Sequence, residues 1–157
     1  MADQAKYIEK LEKRLQILED KDQLASLLNR YCYIADARDW KGYSETFIED
    51  GSMNYESWPS VRGREAIAKA ASAEDIFEGL QHSMTNMQFE VDGSDKATGR
   101  AYLWFAATPK TSKPEDNYAF GGPYHFQFVR TSEGWKISRM QLQKVWSIGH
   151  DSLKVFG

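Results

Sequence analysis

Ala97-Thr98-Gly99-Arg100-Ala101-Tyr102-Leu103-Trp104-Phe105-Ala106 decides the fold. It reads as a strand, and three runs of the same kind share its half of the chain, at about 82–91, 118–130 and 135–146. Asp92-Gly93 and Ser132-Glu133-Gly134 punctuate two joints as hairpin-like turns. Residues 110–117, with Pro109 and Pro114, form a longer polar loop between the second and third runs. Upstream the period is helical. Helices first and a meander of long strands afterwards is an α+β pattern. An antiparallel sheet with helices on one face leaves a concavity between them.

In the helical half, Ile8, Leu11, Leu15 and Leu18 recur at spacings of three, four and three, the heptad seam of an amphipathic helix. The phase breaks at Glu19-Asp20-Lys21-Asp22, and a second stripe follows: Leu24, Leu27, Leu28, Tyr31 and Ile34. The break predicts two helices or one kinked helix, with Asp20 or Asp22 as the second N-cap. Two heptads are too short for a self-sufficient coiled coil, so the first stripe packs on its own domain or on a partner subunit. Trp40, Tyr43 and Phe47 predict a short helix to about Ile48, and Glu49-Asp50-Gly51 a turn. Ser52 to Tyr55 reads as a short strand and Trp58-Pro59-Ser60 as a loop. An Ala-rich helix opens at Gly63-Arg64-Glu65-Ala66-Ile67-Ala68-Lys69-Ala70.

Composition excludes several classes. The chain has 157 residues, enough to bury a core without disulfide or metal staples. Cys32 is its one cysteine, which removes disulfide scaffolds and Cys-rich zinc modules. Twenty Lys and Arg against 23 Asp and Glu give a net charge of −3 and no basic footprint for nucleic acid. Neither a secretory h-region nor a membrane-length apolar run is present, so a cytoplasmic protein with no membrane partner is expected. With three histidines, a metal site would rest mainly on carboxylates, and none is expected. Five Trp, eight Tyr and eight Phe are the informative excess: flat apolar surface with polar handles.

Three residues stand out for chemistry. Asp36 ends the apolar helical stripe. His82 sits where a helical segment gives way to the first long strand. Lys144 interrupts the last strand on the parity of Met140, Leu142 and Trp146. An Asp that accepts from one imidazole nitrogen fixes the tautomer and leaves the other nitrogen as a base. A nearby cation or phenol then stabilises developing charge. Each also has a plain structural reading: a helix cap, a satisfied core histidine, a lysine snorkelling from an edge strand. Tyr31 and Tyr55 fit core aromatics on the same footing, and Cys32 an inert buried thiol. His125 and His150 look incidental.

The order of these residues resembles the SnoaL-like branch of the nuclear transport factor two superfamily. The resemblance runs from about residue 18 to residue 146. It is carried by Arg30-Tyr31-Cys32-Tyr33-Ile34-Ala35-Asp36, Asp39-Trp40, Phe47 with Asp50-Gly51, Gly63-Arg64-Glu65-Ala66-Ile67, His82 with Asn86, and Gly134-Trp135-Lys136-Ile137. It implies a cone-shaped α+β barrel: a strongly curved, mostly antiparallel sheet wrapped around N-terminal helices. Residues 1–157 would form one such domain, with 1–19 as a helical extension. Asp36 and His82 match the Asp–His dyad of the family's dehydratases and of its hexachlorocyclohexane dehydrochlorinase. Tyr55 matches a catalytic tyrosine of scytalone dehydratase. Tyr31, Asp36 and Tyr55 also resemble bile acid 7α-dehydratase, with Lys144 at the position of a functional arginine.

Other family positions differ. Phe105 replaces an acidic residue, Gly122 and Tyr124 replace Ser and Asn, and Met140 replaces an arginine. The resemblance therefore implies a cofactor-free lyase with other substrates, of the dehydratase or formaldehyde-eliminating retro-aldol type. Catalysis is expected from His82, Asp36, Tyr31 and Tyr55. Lys144, Asn86, Trp104, Phe105, Tyr124, Met140 and Trp146 are expected to bind a small hydrophobic or aromatic substrate. An isomerase or polyketide cyclase would use the same base, and a non-catalytic binding or association domain would need none. The relatives imply a homo-oligomer, trimer or dimer.

Overall fold

The computed structural model describes residues 2–55 and 59–156; Trp58, read as part of a loop, lies outside the described residues. Helix α1 (Ala2–Asp36) runs unbroken. Its second half buries Leu24, Leu27, Leu28, Tyr31 and Ala35. The expected break at 19–22 does not occur, and neither aspartate there caps a helix. Asp20 is fully buried instead. It accepts two hydrogen bonds of 2.8 Å from the Arg130 guanidinium and one of 3.2 Å from Trp135 Nε1. Gln16 Nε2, one turn back, adds a fourth at 3.0 Å. The acidic run is thus not a helix boundary. It is the polar anchor that fixes α1 to the sheet, with the guanidinium stacked 4.4 Å from the Trp135 ring.

Asp39 caps α2 (Trp40–Glu45), its Oδ1 accepting from the Gly42 N–H at 2.9 Å. The helix stops three residues before the expected end. Phe47 already pairs with Ile137, so strand pairing overrides the helical spacing of Trp40, Tyr43 and Phe47. Strand β1 (Phe47–Tyr55) and β2 (Val61–Arg62) lead into α3 (Arg64–Ala71) and a 3₁₀ turn (Ser72–Ile76). Then come β3 (Gly79–Val91), β4 (Lys96–Thr108), β5 (Tyr118–Thr131), β6 (Gly134–Leu142) and β7 (Trp146–Gly149).

Among the described residues the strands form one curved sheet of seven, in the order β2-β1-β6-β5-β4-β3, with β7 on β5 beside the end of β6. The β1–β6 pairing is parallel and the rest antiparallel. The expected barrel does not close: β2 and β3 are the two ends of the strand order. Helix α1 packs chiefly on β3.

Two irregularities set which side chains face inward. In β3 the register shifts between Thr85 and Gln88, where Asn86 takes φ +54°. The expected last strand is two strands, interrupted at 143–145. Gly121 and Gly122 admit this break, since a Cβ on Gly122 would meet the Gln143 carbonyl and one on Gly121 the Trp146 ring. Residues 109–117 form the expected loop, and its Thr111 hydroxyl donates to the Glu78 carboxylate at 2.9 Å.

Replacing Asp20 by Ala would leave Arg130 and Trp135 without their shared acceptor. The half-exposed arginine regains some water, so the expected loss is about 2–3 kcal/mol. Urea unfolding at pH 7 measures it; an unchanged midpoint would contradict the anchoring role.

Candidate active site

Asp36 is the last residue of α1, and His82 lies four residues into β3, the strand at one end of the sheet. Arg38 turns the chain out of the helix at φ +59°. Its guanidinium donates to the Phe77 carbonyl at 2.6 Å and the Glu78 carbonyl at 3.1 Å, tying the helix end to the approach of β3. Asp36 Oδ1 then accepts two bonds from one residue: the His82 backbone N–H at 2.9 Å and Nδ1 at 2.8 Å. This holds the proton on Nδ1 and turns Nε2 inward. The imidazole is buried, edge-on to Phe105 at 4.8 Å between ring centres.

A second carboxylate faces the other nitrogen. Glu74 Oε2 lies 3.7 Å from His82 Nε2. Glu74 is 5% exposed, and Oε2 is one of two buried side-chain oxygens among the described residues without a hydrogen-bond partner. The 3₁₀ turn places it, and Trp40 Nε1 holds that turn by donating to Asp75 at 2.7 Å. Sequence reading misses Glu74. Ser72-Ala73-Glu74-Asp75 looks like solvated helix end, and only the tight turn rotates the carboxylate inward.

The two carboxylates decide the charge of His82. Burial alone pushes the imidazole down; Glu74 and the Asp36 hydrogen bond more than offset it and raise the pKa to about 9. Both carboxylates thus favour the protonated form of His82. Among the described residues no group of three His, Cys, Asp or Glu could hold a metal ion.

Four phenols line the neighbouring interior. Tyr31 OH meets Tyr43 OH at 2.6 Å and Tyr124 OH at 3.4 Å, and Tyr124 OH meets Tyr55 OH at 3.5 Å. Tyr31 also donates to Met140 Sδ at 3.2 Å. Burial raises the pKa of Tyr31, Tyr43, Tyr55 and Tyr124, so all four stay protonated donors. Tyr43, read only as part of a helical stripe, is the member that the sequence does not single out.

On the other side Phe105 and Phe120 pack with Phe156 from the C-terminal segment, each 5.0 Å from it. Lys144 Nζ reaches this aromatic group, 3.4 Å from Tyr118 OH and 3.3 Å from the Phe156 carbonyl. It does so from the break between strands and not from within one. Cys32 is buried with its pKa pushed up to about 12 by burial and then by Asp36, a poor nucleophile.

Three expected binding residues lie elsewhere. Trp104 is 50% exposed, on the outward parity of β4 opposite Leu103 and Phe105. Trp146 packs on it at 4.5 Å. The break at 143–145 puts Trp146 on the face opposite Met140 and Leu142. Asn86 is exposed at the shift in β3. A groove of about 930 Å³, lined by Gln88, Arg100, His125, Gln127 and Arg139 among others, also lies away from His82 and includes none of the expected residues.

A sequence profile described as the SnoaL-like domain matches residues 16–141. No curated protein matches the chain. Among solved structures it is similar to a nuclear-transport-factor-2-like protein with a cystatin-like fold from Novosphingobium aromaticivorans. The two are 27% identical over 86% of this chain and 88% of that one, with a TM-score of 0.71. A candidate scytalone dehydratase of the same organism is 19% identical over 86% and 90%, with a TM-score of 0.77. A LinA type 2 hexachlorocyclohexane dehydrochlorinase is 16% identical over 88% and 94%, with a TM-score of 0.76. At that distance the last two share the fold alone. Among the described residues no helix is long and apolar enough to cross a membrane.

The His82 imidazole should titrate near 9 by NMR, and Glu74→Gln should lower that value, since it removes a neighbouring negative charge. Stability linked to this group is complete below the unfolded value of 6.5 and fades as pH rises to about 9. Unchanged titration in the variant would deny Glu74 its influence on His82.

Proposed function

The chain belongs to the SnoaL-like domain family, and we propose that it is a cofactor-independent lyase whose proton chemistry runs between His82 and Glu74. Its substrate class is a small hydroxylated aromatic or polycyclic molecule. The observation that carries this reading is a buried imidazole gripped by one satisfied carboxylate, Asp36, and faced by one unsatisfied carboxylate, Glu74. A 2.8 Å Asp36–His82 bond also favours catalysis over a non-catalytic binding or association domain, which has no need of an oriented imidazole.

The sequence suggests His82 as base. A flanking carboxylate on each side makes it the acid instead and leaves the base's part to Glu74. In a dehydration, Glu74 takes a proton from an acidified carbon and the C–H pair forms the double bond. The C–O pair leaves with oxygen, which His82 protonates from Nε2, and water departs. In a retro-aldol reaction, Glu74 takes the hydroxyl proton, the C–C bond breaks, formaldehyde leaves, and His82 protonates the remaining carbon. In both, the proton on Glu74 passes to Nε2 and restores the pair. Asp36 stabilises the imidazolium throughout. Tyr55, Tyr31 and Tyr124 donate toward developing oxygen charge, with Tyr43 bonded behind Tyr31. Phe105, Phe120, Tyr118 and Phe156 form a flat apolar wall suited to an aromatic ring.

A mass-shift screen of hydroxylated aromatic and polycyclic compounds tests the reading. A lighter product is expected from the native protein, whereas a product of unchanged mass would point to an isomerase or a cyclase. His82→Ala should lower kcat/KM about a thousandfold without unfolding the chain; full activity in that variant would end the proposal. As acid, His82 must keep its proton, so kcat/KM should fall as pH passes about 9. A rate that climbs through the same range to a plateau would return the base's role to His82.

A further inference from the structure

The N-terminal half of α1 carries an apolar seam that the described residues leave exposed. Ile8, Leu11, Leu15 and Leu18 are 47%, 42%, 56% and 64% exposed. At about 100° per residue their mean direction is about 160° from that of Leu24, Leu27, Leu28, Tyr31 and Ala35, the stripe buried against the sheet. The seam therefore points away from the body of the protein. Extending the buried stripe toward the N-terminus meets Lys6, Glu9, Lys10, Lys13 and Ile17, so the half-buried Ile17 is the one large apolar side chain that continues it. Residues 2–19 extend about 27 Å as a helix whose exposed leucines and isoleucine are not part of the hydrophobic core.

We infer that this seam binds the same seam of a second copy of the chain, in parallel, as a two-helix stalk. The flanking charges select the partner and its direction. With Ile8 and Leu15 at heptad position a and Leu11 and Leu18 at d, Glu12 and Glu19 fall at e, and Arg14 and Lys21 at g. In a parallel pair, position g faces e of the following heptad in the partner, so Arg14 of one copy meets the glutamate equivalent to Glu19 in the other, twice by symmetry. In an antiparallel pair e would face e and g would face g, placing Glu against Glu and Arg against Arg or Lys. The opposed faces of α1 also solve the packing: seam-to-seam pairing carries the two sheets outward on opposite sides of the stalk. Two heptads alone are short for this, but the rest of α1 is already held rigid by the Asp20–Arg130 anchor, so the seam meets its partner preformed.

Light scattering on the eluting full-length chain should give about 36 kDa, two chains of 18.0 kDa. Leu15→Glu should run at 18.0 kDa with its thermal unfolding otherwise kept, because residue 15 touches nothing in its own chain's core. Arg14→Glu should weaken association about tenfold in Kd, and Arg14→Glu with Glu19→Arg should restore it. Gln4 falls at a d position, so Gln4→Cys should form a covalent dimer on mild oxidation; Cys32 is buried and stays out of the reaction. A native monomer, or a Leu15→Glu variant of unchanged mass, would overturn the seam. A dimer in which Gln4→Cys fails to cross-link, or in which the charge swap does not rescue, would overturn the parallel pairing. None of these readings depends on the chemistry at His82, so the stalk and the lyase stand or fall separately.

Discussion

Everything near the site depends on Asp36 accepting twice from His82. A strand at the edge of a sheet presents backbone donors with no neighbouring strand to take them. Here one carboxylate oxygen satisfies the His82 N–H and the ring nitrogen of the same residue. The end of α1, the edge of β3 and the orientation of the imidazole thus form a single constraint. Arg38 reinforces it from the next turn through the Phe77 and Glu78 carbonyls. Helix packing and site geometry cannot be varied independently.

The two carboxylates beside His82 are unequal, and the inequality is what makes the arrangement chemical. Asp36 Oδ1 is saturated by near-ideal hydrogen bonds. Glu74 Oε2 is buried, unbonded and slightly too far from Nε2 for a hydrogen bond. A group in that state carries a desolvation cost that a purely structural position would have relieved. The surrounding phenols do not share the load: burial holds their protons on, so they do not serve as bases. The unsatisfied Glu74 oxygen beside Nε2 is why Glu74 enters the proposed chemistry on equal terms with His82.

The helices-then-strands order and the apolar stripes were legible from local period. Asp36 and His82 stood out by residue type, and their pairing was implied by the family resemblance. What was not legible depends on small departures from period. The register shift at 85–88 turns Asn86 out to solvent. The break at 143–145, admitted by Gly121 and Gly122, sends Trp146 to the outer face, where it packs on Trp104. Parity counting carries across neither. Asp20 reads as a candidate N-cap and Glu74 carries no signal of its own, yet both are buried. Their partners, Arg130 and His82, lie 110 and 8 residues away along the chain, and only the folded chain brings these pairs into contact.

The aromatic excess divides along the same geometric line. Trp104 and Trp146 belong to the outer face. Tyr31, Tyr43, Tyr55 and Tyr124 gather their hydroxyls into one linked group, while Phe105, Phe120 and Phe156 turn bare rings toward one another. His82 stands between the two sets, its ring against Phe105 and its flanking Glu74 felt electrostatically by Tyr43 and Tyr55. The proposed aromatic substrate class rests on that division of apolar rings from hydroxyls. Phe156 comes from the end of the chain, its N–H held by Asp151 at 2.7 Å and its carbonyl 3.3 Å from Lys144. Part of this apolar group is thus supplied by a C-terminal segment to which Asp151 and Lys144 bond. Phe105, Phe120 and Phe156 come from β4, β5 and the C-terminal segment, whereas His82 and its two carboxylates come from α1, β3 and the 3₁₀ turn.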